Sequence, residues 1–326
     1  MTARPEFECP FRLAGRRVWV AGHDGMVGQA LVRRLGREDC QILRVDRQAV
    51  DLRRQHETEA WIEANRPDAI FLAAAKVGGI LANDTRPAEF LYDNLLIQAN
   101  VIEAAWRCGV KKLLVLGSSC IYPKESPQPI PESALLTGPL EPTNKAYAIA
   151  KISGLTLCES YRRQYGADFI AAMPTNLYGP GDNFDLESSH VVPALLRKID
   201  DASRRGEPTV TIWGTGRPRR EFLHVGDCAD ALAHLMKHYS AAEHVNVGTG
   251  TDITIRELAE LIARVIGYRG EFVFDTTRPD GTLLKCLDVR RINELGWKAS
   301  IDLECGLRQT YDWFRDRREA GLLERS

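Results

Sequence analysis

The stretch that most restricts the fold is a short apolar run, Arg17-Val-Trp-Val-Ala-Gly22, followed at once by Gly22-His-Asp-Gly25-Met-Val-Gly28 and then by a helical pattern over 29–36. Glycines at this spacing let a backbone turn tightly and come close to a pyrophosphate at a helix N-terminus, where unpaired N–H groups and the helix dipole favour an anion. A second strand over 41–45 ends in Asp46, near the separation at which a carboxylate meets a cofactor ribose. Gly22, Gly25 and Gly28, with Met26 and Val27 between them, and Asp46 are therefore candidate dinucleotide contacts.

The alternation continues with a helix over 55–65, a strand over 69–74, a helix over 86–108, a strand over 112–117, a helix over 144–165 and a strand over 168–173. Strands alternating with helices imply a parallel sheet covered on both faces, so the expected fold class is α/β, a doubly wound, Rossmann-like sheet. Ligands bind at the carboxyl ends of such strands. Those ends carry Gly22, Asp46, Ala73 to Lys76, Gly117 to Cys120 and Pro174 to Tyr178. Past Met173 the rhythm changes: helices over 190–205, 227–238, 255–266 and 303–315 are mixed with short strands over 209–213, 222–225 and 245–247. The expected organisation is a dinucleotide-binding domain of residues 14–175 and 221–250, interleaved with a smaller substrate-binding region of 176–220 and 251–320.

At 326 residues and 44% hydrophobic the chain can bury a substantial core. Its 43 basic and 44 acidic residues leave a formal charge of -1, which gives no general electrostatic reason to bind nucleic acid or an anionic membrane. No apolar run approaches the ~20 residues that span a bilayer, and residues 1–17 lack a charged-then-apolar leader, so a cytoplasmic location is expected. The eight cysteines (9, 40, 108, 120, 158, 228, 286 and 305) are scattered without metal-ligand spacing. No metal is expected, and most are read as small buried hydrophobes in a reducing compartment.

Tyr147 and Lys151 stand one helical turn apart and leave the same helix face. An ammonium beside a phenol favours the phenolate, which makes the phenol a usable acid or base near neutrality. Such a pair suits carbonyl reduction, and a Ser-Ser-Cys over 118–120 stands at the carboxyl end of the fourth strand.

With these pieces placed, the chain resembles the extended short-chain dehydrogenase/reductases, and more closely their GDP-fucose synthase branch. The likeness rests on Ala21-Gly-His-Asp-Gly-Met-Val-Gly28, Leu72-Ala-Ala-Ala-Lys-Val-Gly-Gly79, Gly117-Ser-Ser-Cys-Ile-Tyr-Pro123, Leu140-Glu-Pro-Thr-Asn144, Pro174-Thr-Asn-Leu-Tyr-Gly179 and Arg220-Glu-Phe-Leu-His-Val225. The resemblance implies 3,5-epimerisation and 4-keto reduction of GDP-4-keto-6-deoxy-D-mannose. Ser118 would hydrogen-bond the keto oxygen, Tyr147 would donate the proton, and Lys151 would lower the tyrosine pKa and hold the cofactor ribose. Cys120 and His190 would exchange protons at the carbons beside the ketone, Lys198 and Arg220 would hold the diphosphate, and Trp213 and Asp280 would lie near the guanosine or sugar. Pro174, Asn176, Leu177, His190, Ser118 and Lys151 would also touch the cofactor. Arg217 and Arg219 read as a solvated turn.

The resemblance implies NADP(H), whereas Asp24 and Asp46 stand where a 2′-phosphate calls for positive charge. Arg47 and Arg44 offer that charge nearby, so NADP(H) is expected with modest discrimination and NAD(H) as the alternative. Relatives also imply a homodimer paired through the helices over 86–108 and 144–165. Rival readings are another nucleotide-sugar epimerase or reductase on the same fold, a dehydratase, and a non-catalytic dinucleotide sensor, which would need the glycine loop but not Ser118, Tyr147 and Lys151.

Overall fold

The computed structural model describes residues 11–322 apart from Glu187 and Pro279, so Cys9 lies outside the described residues. In chain order the first half is β1 (Arg17–Ala21), α1 (Met26–Leu35), β2 (Gln41–Leu43), α2 (Gln55–Asn65), β3 (Ala69–Leu72), α3 (Ile80–Thr85), α4 (Pro87–Arg107), β4 (Lys112–Leu116), α5 (Lys145–Tyr165) and β5 (Asp168–Pro174). The second half is β6 (Asn176–Tyr178), α6 (Val191–Arg205), β7 (Thr209–Trp213), β8 (Arg219–His224), α7 (Val225–His238), β9 (Val245–Val247), β10 (Asp252–Thr254), α8 (Ile255–Ile266), β11 (Glu271–Asp275), β12 (Leu284–Lys285), α9 (Arg290–Glu294) and α10 (Leu303–Glu319).

Six strands pair in parallel in the order β2-β1-β3-β4-β5-β9. The order reverses between β1 and β3, and a crevice opens at such a switch point. Every residue of β3 and β4 is buried, as a sheet covered on both faces requires. One covering layer packs α1 and α7 against Val18, Val20 and Leu114; the other packs α4 and α5 against Ile70, Leu113 and Val115. Gly154 brings α4 and α5 together, since a Cβ there would lie 2.1 Å from the Gln98 amide oxygen. Gln98 in turn donates to the Ala150 carbonyl at 2.9 Å.

A separate core lies in the second half, where Leu195, Leu196 and Ile199 of α6 meet Leu258 and Ile262 of α8 and Leu307 and Phe314 of α10. α8 is sharply bounded: Thr254 and Glu257 form a capping box at its start, and Gly267, at φ 85°, ends it. β8 carries this region's small sheet, pairing with β6, β10 and β12, and β7 pairs in parallel with β11. Ile292 and Trp297, although late in the chain, return to the core of the large sheet.

Several expected boundaries shift. The first helix begins at Met26, inside the glycine loop, because Gly25 already serves as its N-cap. The second strand stops at Leu43, two residues before Val45. Of the described cysteines, Cys120, Cys158, Cys228 and Cys286 are buried as expected, whereas Cys305 is exposed on α10. No helix among the described residues is long and apolar enough to cross a membrane.

Candidate active site

The glycine loop has the close packing that its spacing implies. Gly22 sits at φ 86°, and a Cβ there would come within 2.6 Å of the Ala74 backbone. At Gly28 a Cβ would lie 2.0 Å from the Gly22 carbonyl, so α1 rests directly on the loop and only glycine fits. Gly25, Met26 and Val27 form the start of α1, and no side chain caps it. Its free N–H groups are what a pyrophosphate requires.

Beside this N-terminus is a cavity of about 290 Å³ whose lining includes Gly22, Asp24, Arg47, Asp51, Arg53 and Lys76. Arg47 is thus at the cavity, while Asp24 and Asp46 are exposed and gather round His23, whose Nε2 is 2.9 Å from Asp24 and 3.4 Å from Asp46. Arg44 is exposed and does not line the cavity. Asp51 and Arg53 were not foreseen; Arg53 bridges Asp51 at 2.6 Å and Asp93 at 3.3 Å, holding the Asp51 carboxyl down at about 2. Their only sequence signal is their place in the loop after β2.

The ketone end is built where β4 stops. Ser118, in extended backbone, accepts from the Cys120 amide at 3.4 Å and starts a single 3-10 turn, Ser119–Ile121, that buries Cys120. Across from it, α5 presents Tyr147, whose ring meets Phe90 edge-on at 6.2 Å, and Lys151, buried one turn on. Burial, the neighbouring Cys120 and a Ser118 hydrogen bond all act on the Tyr147 hydroxyl; burial dominates and raises its pKa. Lys151 Nζ is 5.7 Å from the Tyr147 ring centroid and donates to the Leu116 carbonyl at 2.8 Å. Desolvation lowers the lysine to about 8, with Cys120 opposing.

Burial thus outweighs any lowering of the tyrosine by Lys151. The phenol is protonated at neutrality, which is the form a proton donor needs. Cys120 is raised by burial, and Lys285, Ser118 and Lys151 pull it back.

His190 is the N-cap of α6. The loop before it packs on Gly79, whose N–H donates to the Ser188 carbonyl at 3.0 Å, and this brings α6 to the carboxyl edge of the sheet. The residue is exposed, yet crowding around its ring lowers the imidazole pKa. No hydrogen bond joins it to Ser118, Cys120 or Tyr147. Pro174 ends β5 and Leu177 lies in β6 against the large core; Asn176 donates its side-chain amide to the Glu221 carbonyl at 2.8 Å.

The substrate-side residues divide. Lys198 Nζ lies 4.7 Å from the centre of the Trp213 ring, and Trp213 is 55% exposed, which leaves ring surface open to a base. Arg220 is half-buried, and desolvation lowers its pKa. Asp280 instead accepts from the Thr215 backbone and hydroxyl at 2.6 and 2.8 Å, so it shapes the turn behind Trp213. Arg217 is exposed, and Arg219 pairs with Asp252 at the surface. Lys285, Glu141 and Asn144 share a small cavity with Cys120, and none of the three was expected to have a role at the site.

Residues 18–248 match the model of the NAD dependent epimerase/dehydratase family. The chain is 58% identical to a GDP-L-fucose synthase of Sinorhizobium fredii over 93% of this chain and 97% of that protein. It is 52% identical to the GDP-L-fucose synthase of Escherichia coli over 94% and 99%, respectively. Among solved structures, a GDP-L-fucose synthetase from Naegleria fowleri bound to NADP superposes with a TM-score of 0.88 at 27% identity, covering 96% of this chain and 98% of that one.

Proposed function

The chain belongs to the NAD dependent epimerase/dehydratase family, and we propose that it converts GDP-4-keto-6-deoxy-D-mannose to GDP-L-fucose by 3,5-epimerisation and NADPH-dependent 4-keto reduction. The observation that carries this reading is the meeting of Ser118, Cys120 and Tyr147 at the end of β4: a reductase needs the two hydroxyls, and an epimerase also needs a proton-exchanging group beside them.

The cradle at Gly22 and Gly28, the uncapped start of α1 and the adjoining cavity fit a dinucleotide. When bound, the cofactor supplies hydride to C4 of the sugar. Ser118 and Tyr147 hold the keto oxygen, and Tyr147 delivers a proton to it. Before reduction the same two donors hold the enolate. Cys120, as the thiolate, takes the proton from a carbon beside the ketone, the C–H electron pair moves into the enolate, and His190, which must first gain a proton because its crowded ring lowers its pKa, returns a proton on the opposite face. Lys198 and Arg220 hold the diphosphate, and the exposed part of the Trp213 ring, which Lys198 and Arg278 also approach, receives the base. Residues 14–175 with 221–250 would form most of the cofactor half of this design and 176–220 with 251–320 most of the substrate half, with Ile292 and Trp297 returned to the large sheet and β8 shared with the small one. The working form is a cytoplasmic homodimer; Tyr92 on α4 and Ile149 on α5 are exposed apolar side chains that such an interface would cover.

Cys120→Ser is expected to weaken epimerisation more than reduction, because an alcohol is a far poorer proton shuttle than a thiol. In deuterated water the variant should lose about tenfold or more of the solvent exchange at the carbons flanking the ketone. Unchanged exchange would return Cys120 to a packing role.

The cofactor preference is expected to be modest, about tenfold for NADPH over NADH or ~1.4 kcal/mol. Arg47 at the cavity can hold a 2′-phosphate, while exposed Asp24 and Asp46 repel it. Asp46→Ala should raise the ratio of NADPH to NADH efficiency. A ratio that does not change would show that this carboxylate does not face the phosphate.

A further inference from the structure

Cys120 poses a problem that the proposed chemistry does not resolve by itself. Withdrawing a proton from carbon needs a thiolate, but the thiol is 8% exposed and sits in a buried turn, where an isolated negative charge is unfavourable. Lys151 is committed elsewhere, donating to the Leu116 carbonyl at 2.8 Å.

A second cation, from the other half of the molecule, lines the same small cavity as the thiol. Lys285 ends β12, which pairs in parallel with β8 in the register Lys285↔Arg220. The two following residues fix it in place: the Cys286 amide donates to the Gln128 side chain at 2.9 Å, and the Leu287 amide to the Glu221 carboxylate at 2.8 Å. So held, Lys285 and Cys120 line one cavity of about 40 Å³, together with Glu141 and Asn144. The Asn144 side-chain oxygen is buried with no hydrogen-bond partner.

We propose that the Lys285 ammonium is the charged partner of Cys120, holding it as the thiolate that takes the proton from the carbon beside the ketone. The arrangement also explains why a lysine stands next to Arg220: β12 and β8 together carry cationic groups from the diphosphate end of the site to its proton-exchanging end.

The surrounding charges pull toward the thiolate, against a burial that still holds the thiol above its ordinary value. Cys120 faces Lys285, Lys151 and the Tyr147 phenol, and Lys285 is the strongest of the groups that offset the burial of the thiol. Lys285 faces Cys120, Arg220 and Glu141, with Lys124 also at the cavity. Burial and Arg220 push the lysine down, while Cys120 and Glu141 stabilise its charge. Lys285 acts through Cys120, as a positioning and charging residue.

This inference rests on the proposed epimerisation, but its test needs no substrate. Thiolate absorbance near 240 nm is titrated against pH in the full chain, and the Cys120→Ser curve is subtracted so that only Cys120 remains. In Lys285→Met the midpoint should move up by about one pH unit, tenfold less thiolate at a given pH. Lys285→Arg, which restores the charge, should bring it back toward the wild-type value. Equal midpoints in wild type and Lys285→Met would overturn the pairing. So would an upward move of the same size in both variants, because packing rather than charge would then have caused it. If the midpoint moves as expected but the wild-type protein does not convert the keto sugar, the pairing stands and the proposed reaction falls.

Discussion

Tyr147→Phe is expected to lower the rate of NADPH oxidation by the keto sugar about a thousandfold, ~4 kcal/mol of transition-state stabilisation, and to leave cofactor affinity nearly intact. The ring keeps its edge-on contact with Phe90 at 6.2 Å and its place on α5, so only the hydroxyl is lost. That hydroxyl is the protonated donor of the site, because burial and the neighbouring Cys120 raise its pKa. Ser118 alone cannot both hold the developing oxyanion and protonate it. A loss confined to kcat, with unchanged cofactor titration by fluorescence, is the expected pattern. Near-normal turnover would remove Tyr147 from the mechanism. The wild-type profile carries a second mark of the site. Lys151, whose ammonium we propose holds the cofactor ribose, keeps its proton up to about pH 8 and loses it above, so kcat/KM should fall as pH rises through that value.

The cofactor half was the more legible in the sequence, because its constraints are local. A glycine at which a Cβ would come within 2.0 Å of a carbonyl, a strand leading into Ser118, and a tyrosine and lysine one turn apart each leave a signature within a few residues. The helix 55–65 also appears with the bounds its pattern suggests.

The substrate half was less legible because it is assembled from pieces too short to show a period. β6 and β10 have three residues each and β12 has two, and their pairing with β8 rather than any alternation of their own makes them strands. Asp280 read as a ligand residue, yet it closes the turn at Thr215, a contact across a long loop that no local pattern could disclose. Lys285 was invisible for the same reason. Its neighbour Cys120 is far off in the chain, and the register of β12 on β8 and the anchoring of the residues after it bring the two into one cavity.

That anchoring makes Glu221 the residue whose loss should damage the protein most. It is fully buried in β8, and its carboxylate accepts from the backbone amides of Thr249 at 2.6 Å, Gly250 at 2.7 Å and Leu287 at 2.8 Å. It thus ties the segment after β9 and the segment after β12 to one strand, and the fit is close enough that a Cβ at Gly248 would lie 2.2 Å from its oxygen. Glu221→Ala leaves the buried Leu287 amide without a partner and frees the amides of half-buried Thr249 and exposed Gly250. At roughly 1–3 kcal/mol for the unsatisfied buried group and about 1 kcal/mol for each of the other two lost hydrogen bonds, the loss should be on the order of 4 kcal/mol, a large part of the ~5–15 kcal/mol that keeps a domain folded. Glu221→Gln keeps the shape and one acceptor oxygen, so it should cost about half as much. Urea unfolding followed by tryptophan fluorescence measures both, and an alanine variant with the wild-type midpoint would show that water replaces the carboxylate without loss. In the glutamine variant, which should remain folded, the loosened Leu287 contact should release Lys285 beside Arg220. KM for the nucleotide sugar should then rise while NADPH affinity holds, because the glycine cradle at Gly22 and Gly28 belongs to the other core.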